Sequence, residues 1–367
     1  MPAPYHDFSN PFGFCFNAMK IRYQALDESL TAARFLQPQD KVNVFINLET
    51  IFKNLSMIND LEQKLILQKK FPVILVSDII NLAAHYKRFF ISNGLDTRVY
   101  LYHTDFKSDD FDQCRYNEDF RSYYLMKYNE NPRMVYLTDA MKSDIFPEVR
   151  TICEFVPRVY YISAYNIEGS AVPHIIGDDD PTRKNIIISG EFYDTQYTLI
   201  PNYFVQYIHY ALGARYFYSD TKSYLKAITK RNGDELDSLN NTYSHPAMYS
   251  ALLAVLGDRA RSIDGLAGIG PKILQKNILN SVQENRIQLT TTSPNLLGDV
   301  FHDMDVKDEF INNFYCVSIP EIVKELTSTS RTTILNQRRD RFDNNSLIRL
   351  NSTRFYNYPL ILEALTL

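Results

Sequence analysis

The chain has 367 residues, of which 45% are hydrophobic and 22% charged, with a formal net charge of −4. That balance suits one or two globular domains with a sizeable core and excludes a disordered chain. The slightly acidic total also excludes a protein that holds nucleic acid by bulk positive charge, leaving local basic patches or backbone amides for that task.

In chain order, residues 1–40 read as an N-terminal arm with a helix-like stretch at 18–35. Val42-Asn43-Val44-Phe45-Ile46-Asn47-Leu48 is a short apolar run ending near a polar residue, the pattern of a buried parallel strand whose C-terminal end carries a site. Helical patterns follow at 49–69 and 78–93, then a strand over Arg98-Val99-Tyr100-Leu101-Tyr102-His103 and a charged loop. Residues 113–130 mix aromatic and basic side chains at helical spacing. Short strands are expected at 133–137 and 157–162 with a helix between them. Lys184-Asn185-Ile186-Ile187-Ile188-Ser189-Gly190 is the clearest strand, and a helix is expected at 201–212.

From Ser244 the pattern turns helical: a helix over 245–256, a helix–hairpin–helix over 263–279, and further helices over 284–367. Strands alternating with helices predict an α/β protein with a central, mainly parallel sheet flanked by helices and ligands at the C-terminal strand ends. The expected division is an arm at 1–40, an α/β domain at 41–243, a helix–hairpin–helix region at 244–290 and a helical extension at 291–367.

The most informative stretch is Ile263-Asp264-Gly265-Leu266-Ala267-Gly268-Ile269-Gly270-Pro271-Lys272. Gly265, Gly268 and Gly270 permit positive φ and close backbone approach, and Pro271 suits the first turn of a helix. Such a hairpin aims backbone N–H groups at a phosphate without reading base sequence, and Lys272 adds charge beside it. Three glycines alone fit a tight interhelical turn at least as well. The upstream Leu256-Gly257-Asp258 tips the balance.

Taken together, residues 257–272 resemble the flap endonuclease and 5′-3′ exonuclease family, in which a Gly-Asp pair and a second Asp precede Asn-Ile-Pro-Gly-Val and Gly-Ile-Gly-Pro-Lys. Ile187-Ile188-Ser189-Gly190-Glu191-Phe192-Tyr193-Asp194-Thr195-Gln196 is similar to the family's strand ending in Thr-Gly-Asp-Lys-Asp-Leu-Leu-Gln, and Ile167-Glu168-Gly169-Ser170-Ala171 to its Glu-Ala-Asp-Asp. The motif order covers roughly residues 40–290. The resemblance implies a PIN-like 5′ nuclease fold followed by the helix–hairpin–helix region. It implies duplex or branched DNA as partner through phosphate contacts, with Gly265, Gly268, Ile269, Gly270 and Lys272 in the hairpin. Arg115, Arg121 and Lys127 stand where the family has its helical arch, although an amphipathic helix with an aromatic core face explains them as well.

Carried across residue by residue, the family's metal ligands become Asn47, a position near His103 or Asp105, Glu168, Ser170, Ala171, Glu191, Tyr193, Asp258 and Arg261. Three carboxylates match: Glu168, Glu191 and Asp258 are the remnant catalytic or metal-ligand candidates, and Asn47 and Arg261 are the sharpest departures. Two Mg²⁺ ions need a dense carboxylate cluster, and a guanidinium opposes it. The expectation is a DNA-binding protein without catalysis and without a cofactor, serving a virus particle or a replication assembly together with other proteins. The alternative is an Mg²⁺-dependent 5′ nuclease with a site rebuilt from Glu49, Asp105 and Asp194. A monovalent cation at the hairpin is compatible with either.

The remaining signals are weaker. Asp178-Asp179-Asp180 before Pro181 reads as a solvated turn. Cys15, Cys114, Cys153 and Cys316 have no CxxC spacing and read as reduced. No run approaches the roughly 18 apolar residues of a membrane span, and no signal peptide is read at the N-terminus. The 26 Tyr, 23 Phe and absence of Trp are compatible with an AT-rich, for instance viral, genome and with a host cytoplasm or virion location.

Overall fold

The computed structural model describes residues 36–48, 71–105, 139–165, 167–189, 192–209, 214–218, 248–258, 263–270, 273 and 307–338. Six strands form one sheet: β1 (Lys41–Asn47), β2 (Asp96–Asp105), β3 (Val159–Tyr165), β4 (Lys184–Ser189), β5 (Tyr203–His209) and β6 (Ala214–Tyr218). Their order is β3-β2-β1-β4-β5-β6, with the first five parallel and β6 antiparallel at the edge. The three expected strands are neighbours, with β1 between β2 and β4, and the α/β class is as expected. The order reverses between β1 and β4. In open parallel sheets that switch point is where the C-terminal strand ends leave a crevice.

Alternation along the strands builds two core layers. Val42, Val44 and Ile46 face a layer made with helices α1 (Phe71–Ser92) and α2 (Asp139–Cys153). Phe45, Tyr100, Tyr102, Ile187 and Val205 face the other layer. That second layer takes helices α3 (Val172–Asp179), α4 (Met248–Leu256), α5 (Lys307–Val317), α6 (Ile319–Glu325) and α7 (Ser328–Asn336). Covering on both faces explains why β1 and β4 read as continuous apolar runs rather than alternating ones.

One expected helix is a strand. Residues 201–212 were expected to be helical, yet Tyr203–His209 is strand β5, parallel to β4 with Ile187 opposite Val205. Tyr203, Phe204 and Val205 are buried in succession because both faces of the strand are covered. A strand of that kind shows no period of two, so its pattern cannot be told from a helix by spacing alone. The stretches at 18–35, 49–69, 113–130 and 133–137 lie outside the described residues.

At the N-terminal edge of the sheet, the buried Arg183 acts as a staple. It pairs with Asp96 at 2.6 Å and Asp180 at 3.1 Å and donates to the carbonyls of Val42 at 3.3 Å and Asp96 at 3.0 Å. Its planar fork of donors suits four acceptors at once. The Asp178-Asp179-Asp180 run is no cluster. His174, Arg338 and Arg183 respectively face its three carboxylates. At the sheet's outer edge Gln337 accepts from the Ser163 N–H at 2.9 Å and donates to the Ser163 carbonyl at 3.0 Å, standing in for a further strand. Cys153 and Cys316 are free and buried. No helix among the described residues is long and apolar enough to cross a membrane.

Lys87 on α1 is 2% exposed, and burial, with Arg158 nearby, pushes its amine down from 10.5 to about 8. Between about pH 8 and 10.5 the unfolded chain binds this proton and the folded chain does not. Stability therefore rises with pH across that window, and the penalty is fully present below it. Lys87→Met is expected to raise the melting temperature at neutral pH. Thermal unfolding repeated above pH 10.5 should show that gain shrinking towards zero.

Candidate functional site

The crevice at the switch point is filled from both flanking strands. Asn47 ends β1, Ser189 ends β4, and Tyr102 lies directly opposite Asn47 in the β1–β2 register. All three are buried. Asp194, in the 3-10 segment Phe192–Leu199 that follows β4, is fully buried against them. The Asn47 amide donates to Asp194 Oδ2 at 3.2 Å, and the Tyr102 hydroxyl donates to the same oxygen at 3.3 Å. Desolvating a carboxylate is costly, and aimed donors offset part of that cost.

The register displaces one sequence assignment. The second-strand ligand position was expected near His103 or Asp105, but these side chains point to the opposite face. His103 packs on Phe146 with ring centroids 4.0 Å apart, and its Nε2 lies 2.6 Å from the Tyr161 hydroxyl. Asp105 accepts from the Ser163 hydroxyl at 3.0 Å on that same face. The residue beside Asn47 is Tyr102, because strand side chains alternate and a slip of one residue reverses the face.

Glu168 and Ser170, each 3% exposed, and the fully buried Ala171 lie where β3 gives way to the short 3-10 turn Gly169–Ala171. That turn presses on the end of β2. A Cβ on Gly169 would lie 2.6 Å from Thr104 Oγ1, and the Gly169 N–H donates to that oxygen at 3.0 Å. The Tyr197 hydroxyl donates to the Ser170 carbonyl and accepts from the His174 N–H at 3.0 Å, fixing the start of α3. Glu191 and Arg261 lie outside the described residues, as does the Asp258 side chain.

Two metal ions need converging carboxylates, and the described residues carry Glu168 and Asp194 at this end of the sheet. No three His, Cys, Asp or Glu side chains among them converge to hold a metal ion. Of the positions matched to ligands by resemblance, Asn47, Ser170, Ala171 and Tyr193 carry neutral side chains, all four buried. The carboxylate that is brought to Asn47, Asp194, has a neutral amide and a neutral phenol as donors.

The hairpin is built as a rigid corner. After α4, Gly257–Asp258 forms β7, which pairs antiparallel with β8 (Ile263–Asp264), Gly257 opposite Asp264 and Asp258 opposite Ile263. Gly257 takes φ +83, and a Cβ there would lie 2.6 Å from the Gly265 nitrogen. The two glycines therefore let the backbones cross, which is why this Gly-Asp pair stands eight residues before Gly265. Leu266 N–H donates to the Val255 carbonyl at 2.8 Å and Ile269 N–H to the Leu266 carbonyl at 3.1 Å.

Leu266 and Ile269 are buried, while Ala267, Gly268 and Gly270 are exposed at the tip. Gly268 has φ +75, and a Cβ on either Gly268 or Gly270 would meet nothing within 4 Å. Ile269 therefore serves as the hairpin's anchor through its side chain, and its N–H is engaged within the turn. The accessible backbone is that of residues 267, 268 and 270. Arg115, Arg121, Lys127 and Lys272 lie outside the described residues.

Sequence reading missed Gln196 as a hub, two residues beyond Asp194. It is 2% exposed, accepts from the Ser250 hydroxyl on α4 at 2.6 Å and donates to the Val317 carbonyl at the end of α5 at 2.8 Å. Its match to the family's Gln was the available signal. Its role was hidden because its partners lie 54 and 121 residues away.

Topology and geometry thus define a doubly wound α/β protein with helix α4 leading into a short two-stranded ladder and a glycine turn. No protein-family model matches the sequence, and no curated protein matches it. Among solved structures, a variant of the T5 5′-exonuclease aligns at 15% identity and TM-score 0.46, covering 81% of this chain and 100% of that one. The flap endonuclease of bacteriophage T5, in a pseudo-enzyme–product complex with DNA and metal ions, aligns at 15% identity and TM-score 0.43, covering 80% and 98%. The T5 5′-exonuclease with bound zinc aligns at 14% identity and TM-score 0.44, covering 82% and 100%. These are likenesses of chain trace, and the functional reading rests on this chain's own residues.

Asn47→Asp would set a second carboxylate against Asp194 in a buried crevice, where two like charges cannot both ionise freely. The pair's affinity for protons is then raised in the folded state, so stability falls as pH rises. Thermal unfolding should show a lower melting temperature for Asn47→Asp, with a larger deficit at pH 8 than at pH 5. Gln196→Leu should cost about 1–3 kcal/mol by stranding the Val317 carbonyl and the Ser250 hydroxyl, measurable by urea unfolding.

Proposed function

We propose that this chain is a DNA-binding protein of the 5′ nuclease type whose metal centre has given way to a hydrogen-bonded core, and that it grips duplex or branched DNA through the hairpin at 265–272. The observation that carries this reading is a contrast. The hairpin presents exposed Gly268 and Gly270 on a hydrogen-bonded base, whereas at the switch point Asn47 and Tyr102 donate to a buried Asp194.

In this reading the exposed backbone at 267, 268 and 270 takes one or two phosphates, and Lys272 adds long-range attraction. Binding is then independent of base sequence and sensitive to salt, because each neutralised phosphate releases counterions. With a net charge of −4 on the whole chain, affinity must come from this local element and from basic residues such as Arg115, Arg121 and Lys127. A role within a virus particle or a replication assembly is part of the same proposal and draws only on composition.

A second reading, an Mg²⁺-dependent 5′ nuclease with a rearranged site, draws on the burial of Glu168 and Asp194 at the same end of the sheet. Asp105 does not contribute to it, because its side chain lies on the other face with Ser163.

Two measurements decide. Gly268→Val, which forces a β-branched residue to φ +75, should weaken binding to a short duplex by about tenfold in fluorescence anisotropy, with little change in folding. A wild-type protein with no salt-sensitive affinity for any DNA would reduce the hairpin to a structural corner. Incubated with flapped or nicked DNA and Mg²⁺ or Mn²⁺, the protein is expected to give no appreciable cleavage, since losing a metal pair costs orders of magnitude in rate. Robust cleavage that Glu168→Ala or Asp194→Ala abolishes would establish the second reading.

A further inference from the structure

Helix α5 lies outside the stretch that resembles the nuclease family, yet it reaches the hairpin through one side chain. Asn313 is 1% exposed, and its amide nitrogen donates at 3.0 Å to the Ala254 carbonyl and at 3.0 Å to the Asp264 carbonyl. The first acceptor belongs to the last turn of α4, where helix carbonyls lack an intrahelical donor. The second belongs to β8, the strand from which the hairpin tip springs. A carboxamide has two N–H bonds in one plane, so one group can satisfy two acceptors and fix the angle between them.

The surroundings make this brace decisive for the hairpin's direction. The β7–β8 ladder is only two residues long on each side. A ladder of that length resists twisting weakly. The Leu266 N–H bond to Val255 holds the near end of the tip, and Gly268 and Gly270 have open space around them. Phe310 and Phe314, one turn apart on α5 and both buried, set the helix against the same apolar cluster that takes Val255, Leu266 and Ile269. Apolar packing is non-directional, so it holds α5 near the hairpin without setting the hairpin's angle. The Asn313 fork is directional.

We propose that Asn313 is the positioning residue of the hairpin: by bonding both α4 and β8 it fixes the direction in which residues 267–270 face, and hence their presentation to phosphate. The DNA consequence rests on the reading of the hairpin as a phosphate site, whereas the postural role does not. Asn313→Asp is nearly isosteric and replaces both donors with an oxygen facing two carbonyl oxygens. It should free the hairpin while leaving the sheet intact.

The test uses the full chain and two readouts. In hydrogen exchange followed by mass spectrometry, Asn313→Asp should lower protection of the 263–270 segment by about tenfold or more while β1 and β4 keep theirs. Ile322→Ala, a buried change on α6, is the control. It should lower protection only as far as global stability falls. On a short duplex, Asn313→Asp should bind about five- to tenfold more weakly, with a shallower salt dependence because fewer phosphates are engaged. Native protection of 263–270 in Asn313→Asp, or loss no greater than in the control, overturns the proposal.

If wild type and Gly268→Val bind DNA equally poorly, the phosphate reading fails and the exchange result still decides the role of Asn313. Should Asn313→Asp not fold, Asn313→Ala removes the donors without adding charge and is read by the same exchange experiment.

Discussion

A carboxylate with no solvent exposure stands at the C-terminal end of the sheet, and much of the molecule is arranged around keeping it there. Asp194 takes hydrogen bonds from Asn47 and Tyr102, which are partners across the two central strands. A buried charge without aimed donors would destabilise the fold by several kcal/mol. The 3-10 segment lies across the strand ends because Tyr193 and Tyr197 bury there, and the two donors offset part of the cost of bringing Asp194 in with them. Once it lies there, Gln196 follows two residues later into contact with α4 and the α5–α6 junction. The helical part of the chain is thus keyed to the sheet through the residues that close the crevice.

That linkage changes how the C-terminal helices are understood. Residues from α5, α6 and α7 share one apolar cluster with the sheet face and with the hairpin's Ile263, Leu266 and Ile269. Gln337 seals the exposed edge of β3, and Arg338 pairs with Asp179 at the end of α3. The hairpin is accordingly mounted on the core from two directions, by α4 along the chain and by α5 through space. A phosphate-binding turn gains from such a mount, because its donors act through fixed geometry rather than through long flexible side chains.

The same closure bears on chemistry. A two-metal centre keeps carboxylates apart by putting cations between them, and it needs an opening for the scissile phosphate. Here an amide and a phenol donate to one oxygen of the buried Asp194 with fixed hydrogen-bond directions. Under the reading proposed above, this arrangement goes with binding at the hairpin rather than reaction at the strand ends. The sheet then acts as a frame for the turn at 263–270.

The sequence by itself determined the class of fold and the two ends of the motif. Apolar runs at Val44-Phe45-Ile46 and Ile186-Ile187-Ile188 specify strands covered on both faces, and the order Gly257, Asp258, Gly265, Gly268, Gly270 specifies a hairpin, because a Cβ at Gly257 would strike the Gly265 nitrogen and the positive φ at Gly268 favours glycine. Local chemistry was enough for these. The strand at Tyr203–His209 was not legible, since a doubly covered strand and a buried helix share the same run of apolar residues. Nor was the face of His103, because a one-residue shift in strand register sends a side chain to the other side of the sheet. Asp194 was a candidate ligand of a rebuilt site in the sequence, but its partners, and the roles of Gln196 and Asn313, emerged only in three dimensions. Their partners lie 147, 121 and 59 residues away in sequence, and hydrogen bonds over such separations are selected by how the layers pack rather than by any spacing along the chain.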